Sequence, residues 1–149
     1  MAGQFVFRLS RLLDMRDRKV EDCEKELAEA MARVRAAECH LQDLLDEEAL
    51  LNRQWLDAAA RRFEGDQTMD FERALGALSV AQTKATAQLA ERRRAQFECQ
   101  IRLDQAMAKL KALTKMRDHR RTRFTYENNR REQNLLDEMA MLRLRQGAL

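Results

Sequence analysis

Phe63-Glu64-Gly65-Asp66-Gln67-Thr68 is the stretch on which the fold turns. It holds one of four glycines in a 149-residue chain that has no proline. On each side runs a long, charged segment whose apolar residues recur at helical spacing. Gly65 can take a positive φ and stop a helix. Thr68 can cap the next one, with Asp70 and Glu72 in its first turn facing the positive end of the helix dipole. The pattern predicts an all-α fold of two long helices in an antiparallel coiled-coil hairpin. The first arm covers about 5–62, the turn 63–68 and the second arm about 69–146, in a single hairpin over 1–149.

In the first arm Leu13, Val20, Leu27, Val34 and Leu41 repeat every seven residues, and Trp55 continues the series. Offset by three run Cys23, Ala30, Ala37, Leu44 and Leu51. This is an a/d seam with charge elsewhere. Arg16 and Glu48 interrupt it, and the small residues Cys23, Ala30 and Ala37 let a partner helix approach closely. In the second arm Phe71, Leu75 and Leu78 open a seam that Ala85, Leu89, Cys99, Leu103, Ala106, Leu110 and Leu113 continue, weakened at Arg92 and Gln96. Leu113, Phe124 and Leu135 are spaced by eleven, which predicts a local relaxation from heptad to hendecad. With the reversal at 65–67, residue i faces about 132 − i, so Leu9 meets the Phe124 region. Residues beyond about 130 then have no partner arm, and the second helix overhangs the first by some 15–20 residues, about 25–30 Å.

Composition agrees. Charged residues make up 36% of the chain and aromatics 5%, a profile of long helices or coiled coil rather than of an ordinary globular core. No run approaches the ~20 apolar residues that cross a bilayer, and the first residues lack the apolar core of a signal peptide. A cytosolic chain is expected. Cys23, Cys39 and Cys99 form no CxxC and read as reduced, small packing residues. Residues 1–74 hold 12 Lys/Arg and 17 Asp/Glu, a balance of −5, and residues 75–149 hold 16 and 8, a balance of +8. An acidic arm lying on a basic one favours pairing within the chain.

Chemistry is absent from the pattern. There is no Gly-rich phosphate loop, so the chain is not read as an ATPase. His40 and His119 stand in no metal-ligand spacing, and carboxylate runs such as Asp46-Glu47-Glu48 read as a solvated face. No catalytic residue, metal or cofactor is expected. The basic clusters Arg92-Arg93-Arg94 and Arg117, Arg120, Arg121 and Arg123 with Arg130-Arg131 are read first as pairing with the acidic arm. Nucleic acid is not an expected partner, because stacking aromatics are nearly lacking.

The opening Phe5-x-Phe7-Arg8-Leu9-x-Arg11-Leu12-Leu13-x-x-Arg16, followed by Val20-Glu21-Asp22, and the close Arg130-Arg131-Glu132-Gln133-x-Leu135-x-Asp137-Glu138-x-Ala140-x-x-Arg143 resemble the two ends of the flagellar export protein FliJ family. The resemblance implies a stalk similar to that of rotary ATPases. Its joined ends would enter the hexameric ring of the export ATPase, and the stalk would also contact the membrane export-gate protein, nearer the tip, and handle export chaperones, as a non-enzymatic component of flagellar type III protein export. By position, the ATPase-ring contacts would fall on Phe5, Phe7, Leu9, Leu12, Arg16, Leu135, Asp137, Glu138, Met139 and Arg143. The export-gate contacts would fall on Leu44, Leu51, Phe71, Leu75 and Leu78. This chain departs from the family pattern with Glu47 and Leu51, where aromatics or glutamines are frequent. The implied place is the cytoplasmic face of the inner membrane, reached through the export apparatus without insertion. The stalk of a virulence-type secretion system has the same physics, and a coiled-coil scaffold or a nucleic-acid-binding helical protein is the alternative of another class. The same seams could also pair two copies, with 63–68 as a hinge.

Overall fold

The computed structural model describes residues 3–62 and 65–147. Two helices account for nearly all of them: α1, Ser10–Ala60, and α2, Gly65–Gly147. Helix-forming residues and the absence of proline let both run without a break. The fold is an all-α antiparallel hairpin. Partners of successive α1 residues fall at descending positions of α2: Glu26 with Arg102, Glu38 with Arg93, Glu48 with Gln82, Trp55 with Phe71.

By contacts the chain divides into Met1–Glu21 with Gln105–Leu149, here unit 1, and Asp22–Asp104, unit 2. The core of unit 2 is Cys23, Ala30, Val34 and Leu44 from α1 against Ala85, Leu89, Cys99 and Leu103 from α2. Cys23, at 1% exposure, is the most enclosed. Four of these eight side chains are Ala or Cys, so the seam is thin. Its interrupted positions are half-buried rather than expelled. At Glu48 the carboxylate accepts from Gln82 Nε2 at 2.6 Å, and the same amide reaches the Leu44 carbonyl at 3.4 Å. A polar layer thus replaces an apolar one with its hydrogen bonds made.

Unit 1 buries Phe7, Val20, Ala106 and Leu113. Residues 3–9 lie outside any helix, so α1 starts at Ser10 rather than at 5; Ser10 N–H donates to the Phe7 carbonyl at 3.1 Å and closes the entry turn. Phe5 packs on Phe124, ring centroids 5.6 Å apart. The expected register gave this place to Leu9. Leu113 is buried and Phe124 half-buried, and from Phe124 the face runs through half-buried Asn128 and exposed Glu132 to exposed Leu135 in steps of four, four and three. From residue 129 to 147 every side chain of α2 is exposed. This is the overhang.

The turn differs from its reading. Phe63 and Glu64 lie outside the described residues. No glycine has a positive φ; Arg62 takes the left-handed conformation instead, at φ 53. The last turn of α1 tightens, with Arg61 N–H on the Ala58 carbonyl at 3.1 Å and Arg62 N–H on Ala59 at 3.4 Å. The helix therefore stops before the chain reaches Gly65, which opens α2, and Thr68 lies inside α2 rather than capping it. An earlier reversal also explains why partners sit a few residues below 132 − i. A left-handed arginine costs about 1–2 kcal/mol, and a glycine there costs about 0.5–1 kcal/mol in chain entropy. Arg62→Gly is therefore expected to stabilise the chain slightly, by about 0.5–1 kcal/mol, read as a higher urea midpoint with unchanged slope. A lowered midpoint would contradict the strained conformation.

Candidate interaction surfaces

Unit 2 carries its charge across the seam. Arg93 Nη2 lies 3.3 Å from Glu38 Oε1 and Arg102 Nη2 3.9 Å from Glu26 Oε2. Both pairs are exposed, so each contributes about 0–1 kcal/mol. Arg102 also donates to the Cys99 sulfur at 3.2 Å. That contact, ahead of Glu26, raises the guanidinium's pKa above its ordinary value; the group is charged at every accessible pH, so no titration follows. Arg92 is half-buried and lines a polar depression with Glu26, Glu29, Arg33 and Glu98. Arg93 of the first basic cluster thus pairs with the acidic first arm, as read.

The second cluster does not. Among the described residues of unit 1 the ion pairs stay within α2, Arg117 with Asp118 at 3.2 Å and Arg123 with Glu127 at 3.6 Å. Arg120 lies over the Phe7 ring at 5.8 Å and Arg121 over the Phe5 ring at 5.6 Å. The reason is charge. Residues 1–21 hold 5 Lys/Arg and 3 Asp/Glu, and residues 105–149 hold 11 and 5, so both sides of unit 1 are basic and the unit totals +8. Unit 2, with 12 and 17, totals −5. The contrast read between arms is therefore also a contrast between units, and in unit 1 aromatic faces take the place of missing carboxylates. The aromatic pair at 5 and 7 was visible in the sequence; that it meets Arg120 and Arg121 was not, because residues outside a helix have no period to place them.

The ten residues assigned to the ATPase ring all belong to unit 1 and divide by exposure. Phe7 is buried at 6%, and Phe5, Leu9, Leu12 and Arg16 are half-buried. Leu135, Asp137, Glu138, Met139 and Arg143 are all exposed on the overhang, alongside Leu136, Met141, Leu142 and Leu144.

The five assigned to the export gate belong to unit 2 and sit at the seam. Leu44 is buried; Leu51, Phe71, Leu75 and Leu78 are half-buried. Phe71 stands edge-on to Trp55 at 5.1 Å. Their outer edges line open ground. Leu44, Leu51 and Leu78, with Leu50, Ala74 and Ala77, border a groove of ≈ 500 Å³. Leu51, Phe71 and Ala74 border a second of ≈ 340 Å³. Leu50, exposed and bordering the first groove, was not singled out by the heptad because it lies off the seam.

Among the described residues no helix is long and apolar enough to cross a membrane, and no three His, Cys, Asp or Glu side chains converge as metal ligands. No curated protein and no solved structure matches the chain. A family model described as flagellar FliJ protein matches residues 5–148, which takes in the Phe5–Phe124 joint, both helices and the overhang. The chain belongs to the FliJ family and is a component of the flagellar protein export apparatus.

Proposed function

We propose that the protein is a coupling stalk between the export ATPase hexamer and the membrane export gate, acting on the cytoplasmic side without catalysis of its own. The observation that carries this reading is the overhang: 19 consecutive exposed positions of α2, residues 129–147, with six large apolar side chains and no helix laid on them. Such a face supports a protein partner. Leu135, Asp137, Glu138, Met139 and Arg143 make the ring contact. Phe5, Phe7, Leu9, Leu12 and Arg16 hold the start of the chain on α2 and so brace the helix that carries the contact. The open groove beside Leu44, Leu51 and Leu78 receives the gate protein, and export chaperones use the same solvent-facing apolar ground. A hairpin cannot match six ring subunits at once. It binds one conformation best and biases the ring by that difference.

Removal of residues 132–149 is the test. The described side chains of this stretch, to residue 147, are all exposed, so the shortened protein is expected to keep its melting midpoint and lose ATPase capture in a pull-down. Undiminished capture would overturn the placement of the ring contact.

A further inference from the structure

The overhang continues the seam spacing of α2. Beyond half-buried Asn128 the inward positions are Glu132, Leu135, Met139, Leu142 and Gln146, in steps of four and three. Leu135 and Leu142 are 58% and 56% exposed, so this seam-spaced face carries no packed helix among the described residues. Its flank carries opposite charges seven residues apart: Glu138 directly before Met139, and Arg145 directly before Gln146. Glu138, Met141, Leu142 and Arg145 together border a groove of ≈ 250 Å³.

We infer that the strand that fits this face is the same stretch of a second copy, laid antiparallel. In antiparallel pairs, like flanks of the two helices meet. Met139 of each copy then packs against Leu142 of the other, and Glu138 of each faces Arg145 of the other, twice by the two-fold symmetry of an isologous contact. Among the described residues the overlap takes in Glu132 to Gly147. Arg130 and Arg131 fall outside it, which removes the cations that would repel. Within the overlap the charges are Glu132, Asp137, Glu138, Arg143 and Arg145, a near-neutral set in an otherwise basic unit. A parallel alignment fails on sterics, because α2 below Phe124 already carries residues 3–21 of its own chain on the seam side, and two such layers would collide. Antiparallel copies diverge from the overlap and avoid this. The contact is short, so it is weak and reversible. It covers residues that the proposed ring contact also uses, so on that reading the two states exclude one another.

Sedimentation velocity of the full chain from about 1 to 300 µM tests the pairing by mass action. A concentration-dependent monomer–dimer equilibrium is expected, with Kd on the order of tens of micromolar. Met139→Glu is expected to weaken it ~100-fold and Glu138→Arg ~10-fold, each with unchanged circular dichroism. Glu138→Arg together with Arg145→Glu is expected to restore the dimer. A chain that stays monomeric throughout, a dimer indifferent to Met139→Glu, or a double exchange that fails to restore it would overturn the inference. No ATPase enters the measurement, so its failure is distinct from that of the ring contact.

Discussion

Leu89→Asp is expected to destabilise the chain by about 3–5 kcal/mol. Leu89 is 6% exposed and sits between Ala85 and Cys99 on a seam where four of eight core side chains are Ala or Cys. Few apolar atoms surround it that could close the gap left by its loss. The carboxylate must also find water, or reach half-buried Arg92 one turn on, by disturbing the packed seam. Against a total of roughly 5–15 kcal/mol for a native chain, the loss is large enough to see as early melting of helicity in a thermal scan. Leu142→Asp supplies the contrast. The residue type and helix are the same, but Leu142 is 56% exposed, and the change is expected to stay within about 0.5 kcal/mol. Equal melting of the two variants would show that the seam is not where stability resides.

Phe7→Ala is expected to cost about 3–4 kcal/mol, confined to unit 1. Phe7 is the largest of four buried side chains there, the others being Val20, Ala106 and Leu113. Its ring also carries the Arg120 guanidinium, a contact of about 0.5–1 kcal/mol at an exposed site. Amide hydrogen exchange followed by fragment is the measurement. Protection should fall over residues 10–21 and 105–124 and hold over 22–104. Phe7→Leu should recover most of the packing and none of the Arg120 contact. Uniform loss of protection along the whole chain would contradict a local anchor.

The two predictions rest on residues that were unequally legible. Val20, Cys23, Ala30, Val34, Leu44, Ala85, Leu89, Cys99, Leu103, Ala106 and Leu113 all lie on the seams that the heptad spacing marked, and all are buried. Period three-and-a-half specifies a face, and a face of small and apolar residues has one stable use in a charged chain. The same rule marked Glu48 as a break without showing that Gln82 stands across from it, because a period does not fix register. Register depends on where the chain reverses, and there a glycine was the natural choice. The left-handed residue is Arg62 instead, for the energy of a turn is set by the whole chain's pairing rather than by local propensity alone. Phe7 was assigned to the ATPase ring through the family resemblance alone, by its position in the opening motif. Outside a helix the spacing gives no direction, and its burial follows from the turn before Ser10. The overhang was foreseen in position and length, since it needs only the arithmetic of two unequal arms.

The substitution of rings for carboxylates in unit 1 has a consequence for its response to ionic strength. Both strands of that joint are positive, so its assembly works against its own field, and added salt that screens this field tightens the joint. In unit 2 the same salt weakens Glu26–Arg102 and Glu38–Arg93. One chain thus contains two parts whose stabilities move in opposite directions along a salt axis.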